Sequence, residues 1–405
     1  MKKILITFCI LLSASAFSQR QITLEQAIEI AQKKSPEYKA LVNQNKASYW
    51  RYRNFKASFL PQLRLDATLP QFRNSVNRIT LDDGSDDFRR SNQIRFDGSL
   101  SLNQNIALTG GTISVSSQLE RVDRYEPNES RGFAVIPFSI NYRQNSLFYN
   151  EFKWNKKIEP LLYEEAKRDF IESMERISLN TARRYFALLK AQVQSKIAKS
   201  NLSNQDTLFQ ISKGRFRMGK IAENDLLQIE LSVLNSQNEV TSNEINFKRA
   251  TQNLSRYLYL DSEDILLNIP KELSTFTVTV EKALQEAKSN RKAVIEFRRR
   301  RLQAEQEVAD VKGNNRLQLS LNANFGVSQQ GAVFNDLFQD YNQQQSIMLS
   351  VGIPILDWGV SKSRRKLVEA NKELVNTNVE QDKQEFEQEI YLHTLNWQNQ
   401  RNFLN

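Results

Sequence analysis

The sequence predicts a mixed, duplicated fold in which long polar helices alternate with two-sided β-strands. Three observations carry the prediction. In 405 residues only 40% are hydrophobic, with 12 Gly and 8 Pro, a composition that favours long helices over compact sandwiches. Similar blocks recur at one spacing: ITLEQAIEIA (Ile22–Ala31) matches VTVEKALQEA (Val278–Ala287), and LPQLRLDATL (Leu60–Leu69) matches RLQLSLNANF (Arg316–Phe325). After each block, apolar and polar residues alternate with period two.

The chain opens with Lys2 and Lys3, an apolar run over Ile4–Leu12 and small residues at Ala14, Ala16 and Ser18, the layout of a secretory signal over 1–18. The run is too short for the ~18–20 residues a spanning helix needs. Cys9, the only cysteine, lies inside that leader and lacks the context for lipid attachment, so the mature chain has no disulfide or thiol chemistry. No later stretch approaches ~18 consecutive apolar residues. If the protein enters a membrane, it does so with strands. The net charge of +10 is spread along the chain apart from Arg298–Arg301, which reads as a solvated surface and not a nucleic-acid site.

Each copy starts with a helix. Thr23 with Gln26 forms a capping box, and Thr279 caps the second copy beside Glu281. Leu24, Ala27, Ile28 and Ala31 then make one apolar stripe, as do Val280, Ala283, Leu284 and Ala287.

Strands follow. Leu63, Leu65, Ala67 and Leu69 alternate with Gln62, Arg64, Asp66 and Thr68; Leu317 to Phe325 alternates in the same way, and Ile347 to Ile355 is the return strand. Phe138, Ile140 and Tyr142 hold the corresponding place in the first copy. A soluble sandwich also alternates. The uniformly small, charged or amide-bearing second face fits a barrel with lipid on one side and a lumen on the other. The first copy carries an extra hairpin near 96–120, Phe96–Ile106 and Thr112–Glu120 around ALTGG, able to join the barrel or stand apart. Polar loops are expected at Asn77–Gln93 and Gln329–Gln345. Asp82, Asp83, Asp86 and Asp87 lack the ligand spacing of a calcium loop.

A polar helix is predicted from near Asn150 to Lys213, broken at Gly214 and Gly219, resuming to about Leu260. The 64 residues from Asn150 to Lys213 at 1.5 Å each give a rod of about 95 Å. In the second part Leu226, Val233, Val240, Phe247 and Leu254 recur every seven residues, with Ile229, Ser236, Asn243, Ala250 and Tyr257 three places later, a coiled-coil seam.

Chemistry is sparse. His393 is the only histidine, which rules out a His-based metal cluster within one chain, and a lone histidine on a polar helix reads as a surface or packing residue and not a triad base. GKIAENDLL lacks the ending of a phosphate loop. No enzyme activity, cofactor or metal is expected.

These residues resemble the outer-membrane efflux protein, or TolC, family. ITLEQAIEIAQKKSPE is similar to the family's opening helix, LSVGIPILDWG to its strand-to-helix crossing with Pro354 and Gly359, and FRMGKIAENDLL to its helical hairpin turn. The resemblance implies a TolC-like duplicated architecture: coiled-coil helices form a periplasmic α-barrel, and four strands per chain contribute to a 12-stranded β-barrel in a homotrimer. The first repeat would span 19–272 and the second 273–405. The implied function is a passive exit duct of a tripartite efflux or type I secretion system. It would sit in outer-membrane lipid of a Gram-negative bacterium, extend into the periplasm, and be loaded by an inner-membrane transporter through a periplasmic adaptor. Arg217, Met218, Gly219, Lys220, Ile221, Ala222, Asn224 and Asp225 would form the adaptor-contacting tip. The second copy stops at NWQNQRNFLN before an equivalent tip, so the expectation is a fragment or a channel without the usual closure, and no gate residues are assigned. The rival reading is a soluble secreted coiled-coil scaffold or adaptor.

Overall fold

The computed structural model describes residues 20–126, 128–260, 265–270, 276–315 and 317–404; the expected leader and Cys9 lie outside them. The first copy contains β1 (Arg20–Ile22), α1 (Leu24–Lys34), α2 (Pro36–Ala57), β2 (Gln62–Thr80), β3 (Asp86–Ile106), β4 (Gly111–Glu126), β5 (Ser130–Gln144), α3 (Glu151–Arg217) and α4 (Glu223–Leu258). After β6 (Ile265–Leu267) come α5 (Val280–Asn290), α6 (Lys292–Asn314), β7 (Gln318–Gly331), a 3₁₀ turn at Phe334–Phe338, β8 (Asn342–Gly352) and α7 (Val360–Leu404). Shifting α1 by the spacing of the sequence blocks lands on α5, and β2 and β7 start at equivalent residues.

The chain divides into two compact units that cut across this duplication. One comprises Met1–Ala47, Lys167–Thr279 and Asn396–Asn405; the other comprises Ser48–Ala166 and Val280–Leu395.

In the first unit the Thr23 hydroxyl accepts the Gln26 N–H at 3.3 Å while the Gln26 amide oxygen accepts the Thr23 N–H at 3.1 Å. Both halves of the expected box are therefore made. Ala27 and Ala31 of the α1 stripe are buried with Leu41, Ile177, Leu188, Leu254 and Leu258. Tyr185 is fully buried in this core, and its hydroxyl donates to the Asn268 carbonyl at 2.6 Å, with the Ile22 carbonyl at 3.1 Å sharing the same hydrogen. These bonds tie the parallel β1–β6 pair, Arg20–Ile22 against Ile265–Leu267, to α3. The Gln192 side chain adds two bonds to the Leu267 backbone, at 3.1 and 3.2 Å.

The heptad seam on α4 is present. All ten seam positions are buried or half-buried, whereas Glu230, Asn235, Glu244 and Lys248 beside them are exposed. Lys199 of α3 reaches Glu244 of α4 at 2.8 Å, bracing the two helices at their solvent edge.

In the second unit one antiparallel sheet runs β2-β3-β4-β5-β7-β8. The extra hairpin lies inside it as parts of β3 and β4, so the chain supplies six contiguous strands instead of the four implied by the resemblance. The loop expected over 77–93 is also mostly strand, with Asn77–Thr80 paired to Asp86–Arg89 and only 81–85 left to turn. Charged and amide residues with poor strand propensity hide this pairing in the sequence. In the structure Arg78 and Thr80 each meet Asp86 across the strands, at 3.4 and 3.0 Å. At the other end β8 stops at Gly352, so Ile353 and Ile355 leave the expected return strand.

Candidate functional site

The cross-strand register sorts the sheet into two faces. Residues directly opposite share a face, so Leu63, Leu102, Val115, Ile140 and Phe325 form one apolar row across five strands. Ile113, Tyr142, Ala323 and Ile347 form the next. One residue away, Gln62, Asn103, Ser114, Asn141, Asn324 and Ser346 line up on the opposite face across all six strands.

That polar face is cross-bonded. The Ser116 and Ser139 hydroxyls are 2.8 Å apart, the Asn103 amide donates to Ser101 at 3.2 Å, and the Asn324 amide donates to Asn141. Hydroxyl and amide side chains present donors and acceptors here, and Arg64, bonded to Asp66 at 2.7 Å on the same face of β2, adds charge, so this surface stays wetted. The apolar face is exposed at the two outermost strands, including Leu65 and Leu69 of β2 and Ile347 and Leu349 of β8.

The crossing at Pro354–Gly359 is built around a residue the sequence reading passed over. Asp357 accepts the Gly359 N–H on Oδ1 and the Ser361 N–H on Oδ2, both at 2.9 Å. The Ser361 hydroxyl and N–H, then the Gly359 N–H, hold the Asp357 carboxyl below its ordinary value. Trp358 and Gly359 take positive φ of 51° and 88°, turning the chain into α7. The Ser361 hydroxyl also lies 2.8 Å from the Asn315 carbonyl at the end of α6, which shares its hydrogen. An Asp two residues before a Gly at a helix start is an Asx-turn signal that was legible in DWGVS. In the first copy Asn150 does the corresponding work, accepting the Lys153 N–H at 2.9 Å and donating to the Ala107 carbonyl at 2.9 Å.

The tip residues fall where α3 hands over to α4. Lys220 N–H bonds the Arg215 carbonyl at 3.0 Å and Gly219 N–H bonds Phe216 at 2.8 Å, the paired closure of a Schellman turn. Gly219 has φ +67° and a Cβ there would meet nothing within 4 Å, so backbone conformation alone demands glycine. Gly214, expected to break the helix, sits inside α3. Asp225 accepts the Ala222 N–H at 3.3 Å, which places a carboxylate at the positive end of α4. Arg217, Lys220, Ala222 and Asn224 are exposed, Ile221 is half-buried, and Met218 is 63% exposed.

Three of the four residues in the arginine run are neutralised. Arg299 grips Glu165 with two bonds, Arg300 meets Asp382 at 2.5 Å and Arg301 meets Glu380 at 3.2 Å. This arrangement knits α6 to α3 and α7 and leaves little charge for a polyanion. His393 is exposed on α7 beside Glu389. Among the described residues no helix is long and apolar enough to cross a membrane, and no group of His, Cys, Asp or Glu is arranged to hold a metal ion.

The sequence matches no protein-family model and no curated protein. The structure is similar to the outer-membrane channel OprN, at 16% identity and TM-score 0.63, covering 94% of this chain and 75% of that one. It is also similar to the CmeC outer membrane channel of Campylobacter jejuni, at 14% identity, TM-score 0.60, and 89% and 67% coverage. For the outer membrane protein VceC of Vibrio cholerae the values are 14%, 0.59, 89% and 75%. The chain therefore has the TolC-like fold that its motifs resemble, long helices joined to an antiparallel sheet, as in these outer-membrane channels.

Proposed function

We infer that this chain is one subunit of a homotrimeric outer-membrane channel, a passive exit duct of a tripartite efflux or type I secretion system and not an enzyme. The observation that carries the reading is the two-faced six-stranded sheet with both edges open. Open edges in lipid leave a row of unsatisfied backbone groups, so a single sheet must close with copies of itself. Six is an even number of antiparallel strands, so β8 of one copy can pair antiparallel with β2 of the next. Six strands from each of three chains give eighteen, a ring wide enough for an aqueous lumen.

In this reading 1–18 is a removed leader, and 19–272 and 273–405 are the two repeats. The supporting detail is the residue-for-residue correspondence of α1 with α5 and of the starts of β2 and β7. The tip from Arg217 to Asp225 contacts a periplasmic adaptor that joins the duct to an inner-membrane transporter. The exposed side chains on its tight turn support that role. Cargo is small molecules or exported substrates, since the polar face carries no residue-specific demand.

The test uses single cysteines at Leu319 and Ser320, adjacent positions on opposite faces of β7. In outer-membrane preparations an aqueous thiol reagent is expected to label Ser320→Cys and to spare Leu319→Cys. Equal labelling, or recovery of the protein as a soluble periplasmic species with no heat-modifiable trimer, overturns the channel and favours the secreted scaffold.

A further inference from the structure

We propose that the end of the apolar sheet face farthest from the helices carries a binding site for the phosphate group of an anionic lipid, formed by Arg121 and Arg131 around Asp123. The proposal rests on the channel reading, because it needs that face to meet a bilayer. The helices join the sheet at the Gln62, Gln144, Gln318 and Gly352 ends of their strands, and the far end carries the connections at 81–85 and 332–341 with the Glu126 end of β4 and the Ser130 start of β5.

Toward that end the register gives the row Phe96–Arg121–Phe133 and, one row farther, Ile94–Asp123–Arg131, both on the apolar face. On β4 and β5 the arginines thus sit where the apolar rows give way to charge. Arg121 donates to Asp123 from Nε at 3.1 Å and from its terminal nitrogen at 2.6 Å, and Arg131 Nε donates to the same carboxylate at 2.8 Å. Two guanidinium groups on one carboxylate leave one net positive charge.

The geometry is pre-organised. The Asp123 side chain is 12% exposed while that of Arg131 is 59% exposed, so a buried anchor holds an outward fork of N–H donors. The Arg121 guanidinium lies 5.5 Å from the Phe96 ring centre, and Phe133 packs edge-on against Phe334 at 5.8 Å. Aromatic rings beside arginines at the limit of an apolar band are the side chains that favour the headgroup level. A charge on the lipid-facing side costs little there, and guanidinium forks match the oxygens of a phosphate.

The protein would be purified as the trimer in neutral detergent and titrated with phosphatidic acid, phosphatidylcholine or inorganic phosphate, with native mass spectrometry reading bound lipid per chain. Wild type is expected to retain phosphatidic acid over phosphatidylcholine, with inorganic phosphate unable to displace it. Arg131→Gln and Arg121→Gln are each expected to weaken retention about fivefold. Arg64→Gln, on the polar face, is expected to leave it unchanged. Equal retention of both lipids by wild type, or unchanged retention in the Arg121→Gln/Arg131→Gln double variant, overturns the proposal. Displacement by inorganic phosphate overturns the lipid assignment. If the double variant does not fold, the wild-type headgroup comparison and Arg131→Gln, which keeps the Arg121–Asp123 pair, decide. Failure of the channel reading is read separately, as protein that does not float with liposomes; protein that floats without headgroup preference loses only this proposal.

Discussion

Arg299 of α6 holds Glu165 of α3 by two hydrogen bonds, Nε to Oε2 at 2.6 Å and a terminal nitrogen to Oε1 at 3.2 Å. Both side chains are mostly buried, 16% and 19% exposed. Removing one partner therefore leaves a poorly solvated charge. Glu165→Ala is expected to lower stability by about 1–3 kcal/mol. Arg299→Lys, with Glu165 intact, is also expected to lose stability, because an ammonium cannot make the two-pronged contact. Thermal melting of the purified protein, read by helix circular dichroism, checks both.

The two glycines near the tip should respond in opposite directions. Gly219→Ala places a side chain at φ +67°, expected to cost about 1 kcal/mol and to raise hydrogen exchange over 215–223. Gly214→Ala, inside α3 with open space around its Cα, is expected to stabilise by about 0.5–1 kcal/mol. Equal effects would show that the tip is not held in this turn.

Tyr257 predicts a loss of stability at alkaline pH. Burial, then its 2.7 Å hydrogen bond to Glu37, pushes its hydroxyl up from 10.0 to about 12. The unfolded phenol loses its proton near 10 while the folded one keeps it, so the contribution is complete below pH 10 and is lost as pH rises toward 12. The difference in 295 nm absorbance between wild type and Tyr257→Phe should titrate near pH 12. A difference titrating near pH 10 would contradict the buried contact.

Asp357 predicts the opposite dependence. Its carboxyl is held below 3.8, so its grip on the start of α7 is complete once the unfolded carboxyl is ionised and is lost as pH falls through the lower folded value. Asp357→Ala is expected to speed hydrogen exchange at Gly359 and Ser361 at neutral pH, while in wild type the protection of these N–H groups relative to an unstructured chain should fall only in acid.

Much of the fold was legible because it follows from local periodicity. The α4 seam was readable since every seventh residue must face a partner helix, and the Thr23 box since its two bonds lie within one turn. The polar–apolar alternation of β7 was equally plain. Of the crossing, Pro354 and Gly359 were visible, but Asp357 acts through backbone N–H groups two and four residues on and leaves no periodic trace. The β1–β6 tie was invisible, because three-residue strands carry no period and the Tyr185 hydroxyl that fastens them comes from far along the chain.

The sequence by itself determined the helices, the faces of the strands and the turn at Gly219, because each depends on residues within a few positions of one another. Only the tertiary structure decided that the extra hairpin joins the sheet, that residues 77–80 and 86–93 are strand and not loop, and that the arginine run is spent on Glu165, Asp382 and Glu380. Those outcomes depend on partners distant in sequence. Strand pairing and charge neutralisation reward a residue for what lies across from it, and the chain order does not reveal that partner.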